Sequence, residues 1–276
     1  MTQMDYEYIE SSVTSKDGTE ISYKVMGEGP GLLIVHGAFR ASQHYLKLAQ
    51  YLSKDFTVYI MDRRGRNKSG TKGDQYNVQK ECDDGIAVIQ KHNVSFLFGH
   101  SFGAVVSLNI ALQYPLKKIA VYEPPMVPYF PTSWIPKFEQ ELHKNDYVSA
   151  SVSLIKGLRM GGVMSKLPKP ILKLLFQSMA KGPEWEENVQ LLPTVSAEAQ
   201  AVLTWDSNID RYKKNSIVTL VMAGTKTPNY LLKSAKELGT VLPNSQNIFI
   251  EGLDHNAPDE RAPEKIAQIL KNYFIK

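Results

Sequence analysis

The chain has 276 residues, 43% hydrophobic and 22% charged, with ordinary glycine and proline content; this excludes a disordered or fibrous protein and leaves room for one large α/β domain with a filled core or for two small domains. Its formal net charge of +4 comes from basic residues spread among nearly as many carboxylates, and the densest run, Arg63, Arg64, Arg66 and Lys68, lacks interleaved aromatics, so it reads as a solvated surface loop and no nucleic-acid partner is expected. The single cysteine, Cys82, excludes an internal disulfide framework; with no leader pattern in residues 1–10 and no run of about 18 apolar residues, the chain reads as cytoplasmic and without a membrane span.

Residues 6–25 form two alternating runs around Lys16-Asp17-Gly18-Thr19, the pattern of an antiparallel hairpin, expected to supply edge strands. Gly31-Leu32-Leu33-Ile34-Val35 is a short apolar run ending at His36-Gly37, as in a strand buried on both faces. The spacing of Tyr45, Leu48, Ala49 and Leu52 predicts a helix over 42–52, followed by a strand over 56–61. A helix over 78–92 sets Ile86, Val88 and Ile89 against Glu81, Asp83 and Asp84. Strand 94–98, helix 102–114 and strand 118–122 continue the alternation, which implies a doubly wound, mostly parallel sheet.

After Glu123-Pro124-Pro125 the rhythm changes. Helices are expected at 134–144, 147–158, 170–179 and 184–191, with no strand among them, so residues 126–205 read as a helical cap inserted after the sixth strand and lying over the sheet edge. Strand 217–223, helix 230–238, strand 246–250 and helix 263–274 then resume the sheet. Residues 1–125 and 206–276 are therefore read as an α/β core of about eight strands, with the cap in the same folding unit.

Gly99-His100-Ser101-Phe102-Gly103 matches G-x-S-x-G, preceded by an apolar strand and followed by a helix that starts with small residues. A nucleophile on so sharp a strand-to-helix turn adopts strained angles and needs neighbours without side chains, which pushes its hydroxyl into the open. Ser101 is the candidate nucleophile; the competing reading makes it a helix N-cap with the glycines serving only packing. His100 is expected to be structural and to point away from Ser101.

On these motifs the chain resembles the α/β-hydrolase superfamily, from the Gly31 strand through His36-Gly37 and the elbow to a C-terminal histidine loop. Asp62-Arg63-Arg64-Gly65-Arg66-Asn67-Lys68-Ser69-Gly70 looks like the family's D-x-R-G-x-G-x-S turn, with Asn67 where glycine is usual. The resemblance implies an α/β-hydrolase fold, an oxyanion hole from the N–H groups of Ala38 and Phe102, and a loop-bracing role for His36. It also implies a base at His255 in Gly252-Leu253-Asp254-His255-Asn256, whereas His44, His92 and His143 read as solvated.

The acid is less direct. In the turn where the family presents an Asp, this chain has Thr227, which cannot carry negative charge. Glu123, at the end of the sixth strand, preserves the order nucleophile, acid, base and is the candidate; the alternative gives it only a turn-capping role, and Asp254, Asp206 and Asp210 are lesser candidates.

The function expected is a serine hydrolase cleaving a small or medium apolar ester through an acyl-enzyme, with no metal or organic cofactor. The partner is a small-molecule acyl substrate, and the sequence leaves the oligomeric state open. Alternatives are a ligand-binding or receptor-like protein with slow catalysis, or a carbon–carbon bond hydrolase, acyltransferase or hydroxynitrile-cleaving enzyme using the same site. Dehalogenase and epoxide hydrolase chemistry is disfavoured because both place a carboxylate where Ser101 stands. The helix over 170–179, with Lys169, Lys173 and Lys181, reads as a solvated cap face rather than a membrane contact.

Overall fold

The computed structural model describes residues 7–162, 164–205 and 208–276. Its sheet contains β1 (Ile9–Thr14), β2 (Glu20–Met26), β3 (Gly31–Val35), β4 (Thr57–Met61), β5 (Phe96–His100), β6 (Lys118–Tyr122), β7 (Val218–Gly224) and β8 (Ser245–Ile250). They lie in the order β1-β2-β4-β3-β5-β6-β7-β8; β2 is antiparallel to both neighbours, and the pairs from β4 to β8 are parallel. The hairpin is therefore at the edge only through β1. Ile21 and Tyr23 of β2 are buried, and its second side pairs with β4.

Alternation along the parallel strands divides the core in two. Leu33, Val35 and Leu97 face the layer holding α2 (Val78–His92), α3 (Phe102–Ala111) and α8 (Asn229–Val241). Leu32, Ile34 and Phe98 face α1 (Leu46–Leu52) and α9 (Pro263–Ile275). Successive residues of a strand point to opposite faces, so a strand apolar at every position needs a helical layer on each side. The elbow helix α3 is buried along its whole length, which anchors the turn before it.

Between β6 and β7 the chain forms α4 (Ile135–His143), α5 (Tyr147–Leu158), α6 (Lys169–Met179) and α7 (Gly182–Trp205), with a small core of their own around Trp134, Phe138, Leu154, Leu192 and Val195. The helix expected to stop at residue 191 runs on to Trp205 with Pro193 inside it. Leu192 and Val195 on either side of the proline are buried, and this packing outweighs a proline cost of about 3 kcal/mol. α6 also departs from expectation. It buries Leu172, and beside the expected solvated Lys169, Lys173 and Lys181 it also exposes Ile171, Leu174, Leu175 and Met179, so its outer side is apolar as well as basic.

The largest correction concerns the basic run. Arg63, Arg64 and Arg66 are buried, and only Lys68 is exposed as expected. Arg63 pairs with Glu81 and Glu198, Arg64 with Asp84 and Asp17, and Arg66 with Glu198. Glu81 and Asp84, expected on the solvent side of α2, are buried with them. A buried guanidinium persists only with carboxylates to hold it, and these come from distant parts of the chain.

Candidate active site

Ser101 and Glu123 follow the C-terminal ends of the adjacent strands β5 and β6, and both adopt positive φ, 55° and 52°. For non-glycine residues such backbone costs on the order of 1–3 kcal/mol and needs outside support. The sheet ladder supplies it, since Ser101 N–H donates to Tyr122 C=O at 2.8 Å and Glu123 N–H to Met222 C=O at 3.0 Å. Gly103 lets the elbow close: a Cβ there would lie 2.1 Å from the Val35 carbonyl oxygen.

The Glu123 carboxylate is buried and fully engaged. Its Oε1 accepts from Gly224 N–H at 2.7 Å, and its Oε2 accepts from Thr227 Oγ1 at 2.7 Å and pairs with His255 Nδ1 at 2.6 Å. The residue standing where the family usually has an aspartate thus serves the carboxylate arriving from β6. The His255 loop is fixed from two sides, by Tyr122 OH donating to Asp254 C=O at 2.8 Å and by Lys226 N–H donating to Leu253 C=O at 2.9 Å. Asp254 turns its carboxylate to Asn256 N–H, and Asp210 pairs with Lys213 at the surface, so neither meets His255; Asp206 lies outside the described residues.

A cavity of about 230 Å³ lies over these groups, lined by Ser101, His255, Ala38 and Phe102 from the core and by Trp134, Leu154, Leu158, Val195 and Val202 from the helical insertion. Among the described residues, Ser101 Oγ has no hydrogen-bond partner. With Nδ1 engaged by Glu123, the Nε2 of His255 is the nitrogen left to exchange a proton within the cavity. The charged groups on its wall are Arg40, Glu198 and Asp259. Arg40 is committed to Asp259 at 2.5 Å and Glu260 at 2.8 Å.

His36 is buried and braces the loop after β3: its Nε2 accepts from Arg63 N–H at 3.1 Å, which leaves Nδ1–H to donate to Gly37 C=O at 2.8 Å. Burial, with Arg63 and Arg66 nearby, holds its pKa well below that of an ordinary histidine, so this tautomer is neutral. His100 does not point clear of the site. Its ring reaches the cavity wall 4.8 Å from that of His255, with Nδ1 bonded to Tyr45 OH at 2.5 Å. Burial and then the neighbouring His255 hold it neutral, so it does not oppose charge on His255.

Of the other histidines, His143 is exposed, but His92 bonds Tyr23 OH at 2.7 Å and His44 is half-buried beside Glu187. Asp62 accepts from Ser42 N–H and Asn67 Nδ2, and Asn67 has φ 44°, which explains an Asn at a glycine position, since Asn tolerates the left-handed region.

Residues 32–269 match the Alpha/beta hydrolase family. The chain belongs to that family. In the solved structure of an alpha/beta hydrolase from Sphaerobacter thermophilus DSM 20745, the chain has a similar counterpart, with a TM-score of 0.79 and 29% identity, covering 96% of this chain and 100% of that one. It is also similar to the uncharacterized hydrolase YraK of Bacillus subtilis (strain 168), 32% identical over 102 residues, a match spanning 36% of this chain and 38% of that protein. A 2-(acetamidomethylene)succinate hydrolase of Mesorhizobium japonicum is 21% identical over 257 residues, 92% of this chain and 91% of the relative. Among the described residues of this α/β-fold hydrolase, no helix is long and apolar enough to cross a membrane.

Proposed function

We propose that the protein is a serine hydrolase that cleaves esters of small or medium apolar carboxylic acids through an acyl-enzyme. The observation that carries this reading is the chain of contacts Thr227–Glu123–His255, which holds His255 at the wall of an apolar cavity that also exposes Ser101 at a strained elbow. Ser101 Oγ attacks the ester carbonyl while His255 Nε2 takes its proton, and Glu123 stabilises the resulting imidazolium. The oxyanion is met by the N–H groups of Ala38 and Phe102, the latter at the N-terminus of α3, where the helix dipole favours negative charge. The tetrahedral adduct collapses as His255 returns the proton to the leaving alcohol. Water, deprotonated by the same imidazole, then releases the acid and restores Ser101.

An apolar, uncharged acyl group fits the charges of the wall. The relative named for a succinate acts on a dianion at neutral pH, whereas here the one arginine lining the cavity is already held by two carboxylates, and Glu198 and Asp259 share its wall. Both of these carboxylates are themselves ion-paired, with Arg40 and with Arg63, Arg66 and Lys72, so a carboxylate on the substrate would find no uncommitted cation among the lining residues to offset its desolvation. The test is labelling by a fluorophosphonate together with hydrolysis of p-nitrophenyl butyrate. Wild type should be labelled stoichiometrically and turn over, and Ser101→Ala should do neither. An unlabelled, inactive wild type would instead favour a ligand-binding protein on the same fold.

A further inference from the structure

We infer that Arg63 is a positioning residue for the oxyanion donors, aiming the Ala38 N–H and bracing Phe102 from beneath; this rests on the hydrolase reading above. The peptide between Gly37 and Ala38 carries the Gly37 carbonyl on one side and the Ala38 N–H on the other, and in a planar trans peptide the two point in opposite directions. Whatever holds the carbonyl therefore aims the N–H.

Arg63 Nη1 donates to Gly37 C=O at 3.1 Å and to His36 C=O at 3.3 Å, while the backbone N–H of Arg63 sets the His36 tautomer that supplies the second donor to Gly37 C=O. Its guanidinium also lies 4.4 Å from the centroid of the Phe102 ring, the residue offering the other oxyanion donor. One side chain thus touches both donor-bearing segments. A cation on the carbonyl draws electron density from the amide, so the same contact makes the Ala38 N–H a stronger donor.

Arg63 is in turn held rigidly. Its Nε and Nη2 donate to Glu81 at 3.1 and 3.0 Å, and Nη2 lies 2.8 Å from Glu198 Oε1 on α7. Two carboxylates would suffice to bury the charge, yet Nη1 is turned to the two carbonyls of the His36-Gly37 loop. Because Glu198 belongs to the helical insertion, the seating of α7 on the core reaches the oxyanion peptide through a single guanidinium. A lysine at this position carries the charge but lacks the planar fork needed to bridge carboxylates and carbonyls at once.

The experiment compares wild type, Arg63→Met, Arg63→Lys and Ser101→Ala on p-nitrophenyl butyrate, with thermal melts and inhibition by an aryl trifluoromethyl ketone, which adds to Ser101 and places an oxyanion in the hole. Arg63→Met should lower kcat by on the order of 10²-fold with KM within about threefold, and weaken the trifluoromethyl ketone by a similar factor; Arg63→Lys should recover part of both. A folded Arg63→Met with kcat within about threefold of wild type, or a loss confined to KM, overturns the inference. If Arg63→Met fails to melt cooperatively, Arg63→Lys decides by the same split. An active wild type silenced by Ser101→Ala separates these outcomes from failure of the ester reading, which an inactive wild type would bring down and this inference with it.

Discussion

In the proposed mechanism Glu123 supplies the charge beside His255 and Thr227 a hydroxyl that fixes one of its oxygens. Their substitutions should therefore differ in kind. Glu123→Gln leaves a neutral partner for His255 and is expected to lower kcat by about 10³- to 10⁴-fold, since loss of the carboxylate in well-studied triads costs about 10⁴. Thr227→Ala removes one hydrogen bond from a carboxylate that keeps Gly224 N–H and His255, and should cost less than about tenfold. Steady-state kinetics on p-nitrophenyl butyrate decide between them, and both variants should melt close to wild type. Equal losses in the two would remove Glu123 from its proposed role.

At the scale of the element, one carboxylate of α7 gathers three cations of the core. Glu198 meets Arg63, Arg66 and Lys72 at 2.8, 2.5 and 2.7 Å. Burial alone would raise its pKa, but the three cations outweigh it and hold the carboxyl well below its ordinary value of 4.5. The unfolded chain then takes up this proton before the folded one does, so the pairing contributes fully above pH 4.5 and is lost as pH falls toward the depressed folded value. Glu198→Gln should destabilise the protein by about 3–5 kcal/mol at pH 7 and flatten the acid side of a stability-versus-pH curve from chemical denaturation. An acid limb as steep as wild type would assign that limb to other carboxylates. α6 offers a simpler check of its orientation: Leu172→Ala should cost about 2–5 kcal/mol, while Leu174→Ser on the exposed side should change stability by no more than about 0.5 kcal/mol.

For the whole molecule, the cavity exists only because the helical insertion roofs the ends of the parallel strands, the place where α/β sheets hold ligands. At about 230 Å³ it lies below the usual 300–1,000 Å³ range for drug-sized ligands. Each acyl methylene buried adds about 0.8 kcal/mol, roughly fourfold in kcat/KM, until the space is filled. A series of p-nitrophenyl esters should therefore rise from acetate, peak at a short or medium chain and fall well before dodecanoate. A continued rise to the longest ester would show that the insertion opens further than this cavity.

Local pattern reached a long way into this fold. The strand-elbow-helix around Ser101 was legible because a tight turn between a buried strand and a buried helix forces glycines at fixed offsets, and the alternation of strands and helices identified the parallel sheet through periodicity alone. The run of helices between β6 and β7 was legible as a break in that rhythm. What the sequence could not decide were matters of distant pairing. Arg63, Arg64 and Arg66 read as solvated because their carboxylates, Glu81, Asp84 and Glu198, lie far along the chain, and burial of charge is settled by partners rather than by neighbours. The helix expected over 184–191 runs on through Pro193 to Trp205 because residues on both sides of the proline are buried. The elbow and its glycines were determined by sequence because they answer a local steric demand; the meeting of Glu123 with His255 and Thr227, and the clamp of Arg63 on the Gly37 carbonyl, were decided only by the sheet order that brings β6 beside β7 and the loop after β4 beside that after β3.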